Sequence, residues 1–432
     1  MKKILLAAVM AMTLWGCAED RSSILKVYNW ADYIDEDLLD EFEEWYFEQT
    51  GETVEIIYQT FDINETMLSK IELGHEDYDV VCPSDYIIER MLMNDLLLPI
   101  ERNFGQTPDY LGNISPYIDS KFAEIEGHGK DARDYSVGYM WGTVGLIYNP
   151  KYVNDEKACS WEVLKDPAYK GKLLMKDAYR DIYTTMLTAL NKDALESGEK
   201  DLRTLAFDTS DESIALVENY LNSFKESIAG WEADFGKEQM TKELAWMNLS
   251  WSGDAQWAID EAAEMDIELR YTIPSEGSAV WFDGWVIPKY ARNIKAASYF
   301  INFMCMPENA LRNMDMTGYV SAIGGDDVLE AMSDSLEYEP ADVSYFFGEG
   351  ASEACVNPIM YPDKETIERC AMMHDTDTEA LLKMWSRVKG ANASAWTYIL
   401  IVLVLGGLIM AVILKYYRKN YRKKKYSRGK RK

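Results

Sequence analysis

Carboxylates and aromatic rings recur side by side along this 432-residue chain, and together they are the chemistry for holding an ammonium ion. The densest instance is Val280-Trp281-Phe282-Asp283-Gly284-Trp285-Val286-Ile287-Pro288, which sets one acid among three aromatic rings. An unpaired carboxylate in a strand core is costly to bury. Gly284 lets the backbone bend close to a ligand. Taken alone, the stretch reads as a strand end whose tryptophans are core and whose Asp caps a turn. Its neighbours change that reading. Asn29-Trp30-Ala31-Asp32-Tyr33, Pro83-Ser84-Asp85-Tyr86, Lys176-Asp177-Ala178-Tyr179-Arg180-Asp181, Ser250-Trp251-Ser252-Gly253-Asp254 and Thr317-Gly318-Tyr319 carry the same residue types. In open α/β sheets ligands bind at the carboxyl ends of strands. Core packing alone does not explain this recurrence in loops that follow strands. With these neighbours, Trp281 is the face of a cation site and Asp283 its counter-charge, while Phe282 and Trp285 are core.

The elements that must position these residues alternate strand and helix. Residues 24–28 are apolar and extended. Residues 35–49 place Leu38, Leu39, Phe42 and Trp45 at helical spacing, with Gly51 as the stop. Residues 53–58 alternate like a strand, Asn64 is the N-cap of a second helix, and 78–82 form a third short strand before a helix over 86–94. This is an α/β pattern. Residues 104–134 read as a Gly/Pro/Asp-rich surface stretch. Strands follow at 144–148 and 268–273, with a short apolar segment at 173–175. Residues 246–251 return the chain to the interior. Helices are expected at 181–190, 211–223, 254–265 and 296–304, the last burying Phe300 and Phe303. Residues 314–322 read as a loop around Gly318, and 366–388 as mixed helix.

Charge narrows the function classes. The formal net charge is −29, yet residues 415–432 hold eleven Lys or Arg and no acid. With those and Lys2 and Lys3 set aside, the remainder carries −42. Such a surface repels nucleic acid and attracts cations. No CxxC pair occurs among the six cysteines, and three histidines give no zinc spacing, so no metal or cofactor is expected. Cys355 and Cys370 are open to pairing in an oxidising compartment.

The two ends read as membrane signals. Residues 1–17 form a leader: Lys2-Lys3, an apolar run, then Gly16-Cys17, similar to a lipoprotein signal with Cys17 as the lipidated residue; the alternatives are an ordinary cleaved signal or an uncut anchor. Residues 396–414 are nineteen residues without a charge, long enough for a transmembrane helix, and the basic tail 415–432 is expected on the cytoplasmic side. A stop-transfer role for that tail is favoured over RNA binding. The domain between the two ends would then sit on the periplasmic side of the inner membrane.

From about Leu25 to Lys389 the chain resembles the spermidine/putrescine-binding proteins of bacterial polyamine ABC transporters. The resemblance is carried by Tyr28-Asn29-Trp30 with Tyr33, Asn64-Glu65-Thr66-Met67, Tyr78-Asp79-Val80-Val81 through Tyr86, Trp281-Phe282-Asp283 and Thr317-Gly318-Tyr319. It implies a two-lobed α/β fold of the type II periplasmic-binding-protein kind. The lobes would be built from 24–140 with 282–325, and from 141–281 with 326–390. It implies a polyamine ligand and, as partners, a permease and its ATPase. It also implies a site: aromatic walls from Trp30, Tyr33, Tyr86, Trp251, Trp281 and Tyr319, a polar contact from Ser84, and carboxylates from Asp177, Asp181 and Asp283. One extra residue separates Asp177 from Asp181 relative to the family. The family has Thr where Ala31 stands and Gln near Met373, which leaves the preferred amine open. The alternatives are another small polar or cationic solute, or an enzyme on the same fold with Cys82 as nucleophile; no His or Lys base adjoins Cys82 in sequence.

Overall fold

The computed structural model describes residues 21–390 apart from 234. Among the described residues twelve strands lie in one connected sheet, and the order along its main path is β2 (Glu55–Phe61), β1 (Ile24–Trp30), β3 (Val80–Val81), β10 (Ser278–Pro288), β5 (Ser136–Tyr148), β8 (Met247–Trp251), β6 (Leu173–Lys176) and β7 (Ile228–Glu232), with β4 (Leu97–Leu98) paired to β10 off that path. β1 (Ile24–Trp30), β2 (Glu55–Phe61) and β3 (Val80–Val81) run parallel, with Ile24 opposite Glu55 and Val27 opposite Val80. Parallel neighbours need a crossover. The helix Asp37–Thr50 supplies the first, burying Leu38, Phe42 and Tyr46. It stops at Gly51, whose φ of 73° is the left-handed conformation that a helix terminus uses and that costs glycine nothing. Phe42 meets Phe300 and Phe303 edge-on at 5.2 and 5.6 Å, so the apolar face expected for residues 296–304 is buried as read.

Two long antiparallel strands join the halves of the sheet. β5 (Ser136–Tyr148) and β10 (Ser278–Pro288) are buried at every position. β10 pairs with β3 and with residues 136–143 of β5. The remainder of β5 pairs with β8 (Met247–Trp251) and β9 (Arg270–Thr272). β6 (Leu173–Lys176) lies parallel to β8 and to β7 (Ile228–Glu232), completing the second half. Strands buried on both faces read as continuous apolar runs. Only residues 144–148 of β5 showed that signal, because Gly138 and Gly142 dilute it over the rest of the strand. Those glycines are there for space: a Cβ on Gly142 would lie 2.6 Å from the Trp281 ring.

The stretch 104–134 is less superficial than expected. It contains the helix Pro116–Phe122, N-capped by Ser115, which buries Tyr117, Ile118 and Phe122. Phe282 packs against Tyr117 and Trp141, and the same apolar cluster takes in Phe346 and Tyr361. The residues expected as a loop around Gly318 begin as helix: Pro307–Thr317 is capped by Gly318 at φ 74° and followed by β11 (Val320–Ser321). The mixed segment near the end resolves into the short helix Lys364–Ile367, β12 (Cys370–Met372) and the helix Thr378–Gly390. Cys355 and Cys370 are both free thiols.

The expected transmembrane helix is corrected here. Among the described residues, no helix is long and apolar enough to cross a membrane. Asp37–Thr50, at 14 residues, would reach about 21 Å, short of the roughly 30 Å of a bilayer core. Residues 396–414, the tail 415–432 and the leader 1–17 with Cys17 lie outside the described residues.

Candidate functional site

Asp283 sits inside a strand, not at its end. It faces Met140 of β5, and the register then slips so that Gly284 faces Gly138. A bulge of this kind re-aims side chains next to functional sites. Strand alternation puts Trp281 and Asp283 on one face and Phe282 on the other. Phe282 and Trp285 are fully buried, the core role expected of them.

Asp283 is only 6% exposed. Tyr33 donates its hydroxyl to Asp283 Oδ2 at 2.9 Å, while Oδ1 has no hydrogen-bond partner among the described residues. Burial pushes the carboxyl up to about 7, against the pull of the Ser84 and Tyr33 hydroxyls, and the nearby Asp181 adds to the rise. This is a carboxylate held short of its full complement of donors, the condition in which an arriving cation is worth most.

The rings around it are fitted to the backbone. Tyr33 meets Tyr319 edge-on at 5.4 Å, and Tyr319 meets Trp281 edge-on at 5.5 Å. Each of the last two lies on a glycine. Trp281 covers Gly142, and a Cβ on Gly253 would fall 2.3 Å from the Tyr319 ring. The Trp281 indole N–H has no hydrogen-bond partner among the described residues. Gly318 turns the chain so that Tyr319 follows directly from the helix end.

The second acid lies on the other half of the sheet. Asp181 stands in the first turn of the helix Tyr179–Leu190 and accepts the Trp251 indole N–H at 2.8 Å. Burial raises its pKa against the pull of that N–H. Asp181, on the helix that follows β6, is near enough for its charge to add to the rise at Asp283. Ser84 pairs with Asp283 in an isolated antiparallel bridge, and Asn64 donates to both Ser84 Oγ (3.0 Å) and Tyr86 Oη (3.1 Å). Asn64 is therefore not the helix cap expected of it: the helix begins at Asn64 itself, and its amide is spent holding Ser84 and Tyr86.

Not every expected residue joins this cluster by direct contact. Trp30 packs on Phe61 at 4.5 Å, three residues before Tyr33. Asp177 is exposed, and its backbone N–H donates to the Glu232 carbonyl at 2.7 Å. Tyr86 carries the Arg180 guanidinium over its ring at 4.4 Å. Cys82, the candidate nucleophile, is fully buried, and burial followed by the Asp283 charge holds its thiol well above the usual range. That is the opposite of an activated thiolate.

Three residues within the recurring stretches have roles that their sequence context did not reveal. Asp85 is fully buried at the start of the helix Asp85–Met93 and accepts the backbone N–H groups of Tyr86 (2.8 Å) and Phe282 (3.3 Å), tying that helix to β10. Lys176 and Asp254 form a buried ion pair beside Trp251. Their signal was a Lys at a strand end and an Asp at a helix start, both of which usually stay in solvent.

A sequence profile of the bacterial extracellular solute-binding protein family matches residues 37–325. The spermidine/putrescine-binding periplasmic protein of Escherichia coli is 26% identical over 323 residues, covering 74% of this chain and 83% of that protein. The putrescine-binding periplasmic protein PotF of Escherichia coli is 26% identical over 351 residues, covering 78% and 88%. Among solved structures, the spermidine/putrescine ABC transporter substrate-binding protein PotD from Streptococcus pneumoniae superposes with a TM-score of 0.63 at 29% identity, covering 85% of this chain and 98% of that one. The resemblance read from the sequence stands, and with it the two-lobed α/β architecture. The family is one of solute-binding proteins rather than enzymes, and its members act outside the cytoplasm. With two half-sheets joined through β5 and β10 and a profile match over most of the described domain, the chain belongs to the bacterial extracellular solute-binding protein family.

Proposed function

We propose that this protein is an extracytoplasmic receptor for polyamines that hands its ligand to an ABC importer. The observation that carries the reading is Asp283: a buried carboxylate with one oxygen unpartnered among the described residues, ringed by Tyr33, Tyr319 and Trp281 and within electrostatic reach of Asp181. The names of the relatives agree with it. A polyamine is a string of methylenes with ammonium groups at fixed spacing. Methylenes lie against flat rings, and each ammonium over a ring face gains about 0.5–2 kcal/mol. A buried ammonium also needs a carboxylate, since desolvation otherwise costs several kcal/mol.

In this reading Asp283 takes one ammonium and Asp181 the other. Asp181 holds that role rather than Asp177 because Trp251 fixes Asp181 while Asp177 is exposed. Trp30, Tyr86, Trp251, Trp281, Tyr319 and Tyr33 form the walls, and Ser84 is a polar contact. The ligand joins acids that sit on the two half-sheets, so it favours the closed arrangement by its differential affinity. A permease would read that closed form. The leader with Cys17 supports export and lipid attachment. Isothermal titration of the purified protein with putrescine, spermidine and an uncharged sugar tests the proposal. Heat is expected from the amines alone, and silence from both amines would sink it.

A further inference from the structure

Across Trp251 from Asp181 the protein supplies a cation of its own. Lys176, at the end of β6, is 1% exposed. Its ammonium sits 4.4 Å over the Trp251 ring, pairs with Asp254 Oδ2 and Glu232, and donates to the Ala233 carbonyl at 2.9 Å. A lysine ammonium has three N–H bonds, and here three acceptors. A protein ammonium thus makes the two contacts, ring face and carboxylate, that a ligand ammonium would seek.

The two acids it serves are closed to a ligand. Asp254 Oδ1 accepts the Tyr319 hydroxyl at 3.1 Å while Oδ2 takes Lys176. Glu232 Oε1 accepts the Asn248 amide at 3.1 Å, and Oε2 accepts the Gly236 N–H at 3.1 Å. Asp283 and Asp181 differ: the first has an oxygen without a partner among the described residues, and the second is half-buried and held by the Trp251 indole.

We propose that Lys176 is a specificity-determining residue, a resident ammonium that occupies one aromatic–carboxylate position and restricts the site to ligands with two ammonium groups. A linear diamine balances Asp283 and Asp181. A triamine brings a third charge toward a position already filled by a cation that cannot leave. This rests on the polyamine reading and names the class of amine within it.

The test is isothermal titration of wild type, Lys176→Met and the double variant Lys176→Met/Asp254→Ser with 1,4-diaminobutane and with spermidine. Methionine keeps the apolar length over Trp251 and removes the charge. The double variant removes one acid with its cation, which guards against a fold lost to a buried Glu232 without a cation and an Asp254 left with only Lys237 at 3.8 Å among the described residues. Wild type is expected to bind the diamine at least tenfold more tightly than the triamine. Lys176→Met is expected to move that ratio at least tenfold toward the triamine, because a ligand ammonium can replace the lost one. The double variant, which loses the ammonium but returns the position to its wild-type net charge, is expected to move it less than the single variant but in the same direction. Amine binding by all three proteins with an unchanged ratio overturns the role of Lys176 alone. Failure of wild type to bind either amine overturns the polyamine reading and this inference together.

Discussion

Asp283→Asn removes the charge at the centre of the site, and two opposed effects follow. Without ligand, the carboxylate is a burden on the fold. Its pKa is pushed from 3.8 to about 7, chiefly by burial. A raised carboxyl pKa means the folded protein holds a proton that the unfolded chain has released, so stability falls as pH rises between those two values. At 1.36 kcal/mol per unit, the penalty is about 1.5 kcal/mol near pH 5 and about 4 kcal/mol near pH 8. The amide escapes it. Asparagine keeps an acceptor for the Tyr33 hydroxyl but places an N–H₂ where Oδ1 has no partner among the described residues, which costs roughly 1–3 kcal/mol at any pH. The variant should therefore gain about 2.5 kcal/mol on wild type between about pH 5 and pH 8, whatever the constant offset. It should lose amine affinity by well over tenfold, since the ammonium would be buried without its counter-charge. Urea unfolding of the two ligand-free proteins at both pH values, with calorimetric titration at the higher one, reads both effects. A stability difference that does not change with pH would refute the buried charged carboxylate. Unchanged amine affinity would remove Asp283 from the site.

Three further outcomes follow from the same geometry. Tyr33→Phe deletes a donor that favours the charged form of Asp283, so the pH midpoint of amine binding, expected near 7 for wild type, should move upward; a pH series of titrations would show it, and a downward move would contradict the assigned hydrogen bond. Gly142→Ala puts a methyl 2.6 Å from the Trp281 ring and should weaken amine binding by about tenfold through displacement of that wall; unaltered affinity would mean the ring is not a ligand wall. Raising salt from about 0.05 to 0.5 M should slow amine association, because the −42 carried outside the tail and leader attracts cations over a range that salt shortens; stopped-flow rates independent of salt would exclude that steering.

Much of the fold was legible because periodicity survives in the chain. The helix Asp211–Ser223 begins and ends where residues 211–223 placed it, and Asp37–Thr50 buries Leu38 and Phe42 as its spacing required. Legibility failed where a local signal served a distant neighbour. β5 was read at less than half its length because its glycines make room for Trp281 and other side chains across the sheet. The helix Pro116–Phe122 was hidden in a stretch whose Gly, Pro and Asp content speaks of surface, while its apolar face packs under Phe282. Asn64 looked like a cap and serves instead as a clamp on Ser84 and Tyr86.

The sequence by itself determined which residue types are available: acids and rings recurring near strand ends in an acidic domain, and enough motif to carry the resemblance to a solute-binding family. It could not determine which acid is short of partners, because that depends on what every other element places nearby. Only the tertiary structure decided that Asp283 lies at a bulge inside β10 with one oxygen unmet among the described residues, that Asp181 is held by Trp251 while Asp177 is exposed, and that Lys176 already balances Asp254 and Glu232. Charge pairing is a property of distances across the fold, and residues 176, 232 and 254 meet only once β6, β7 and the helix Ser252–Ala263 have been brought together.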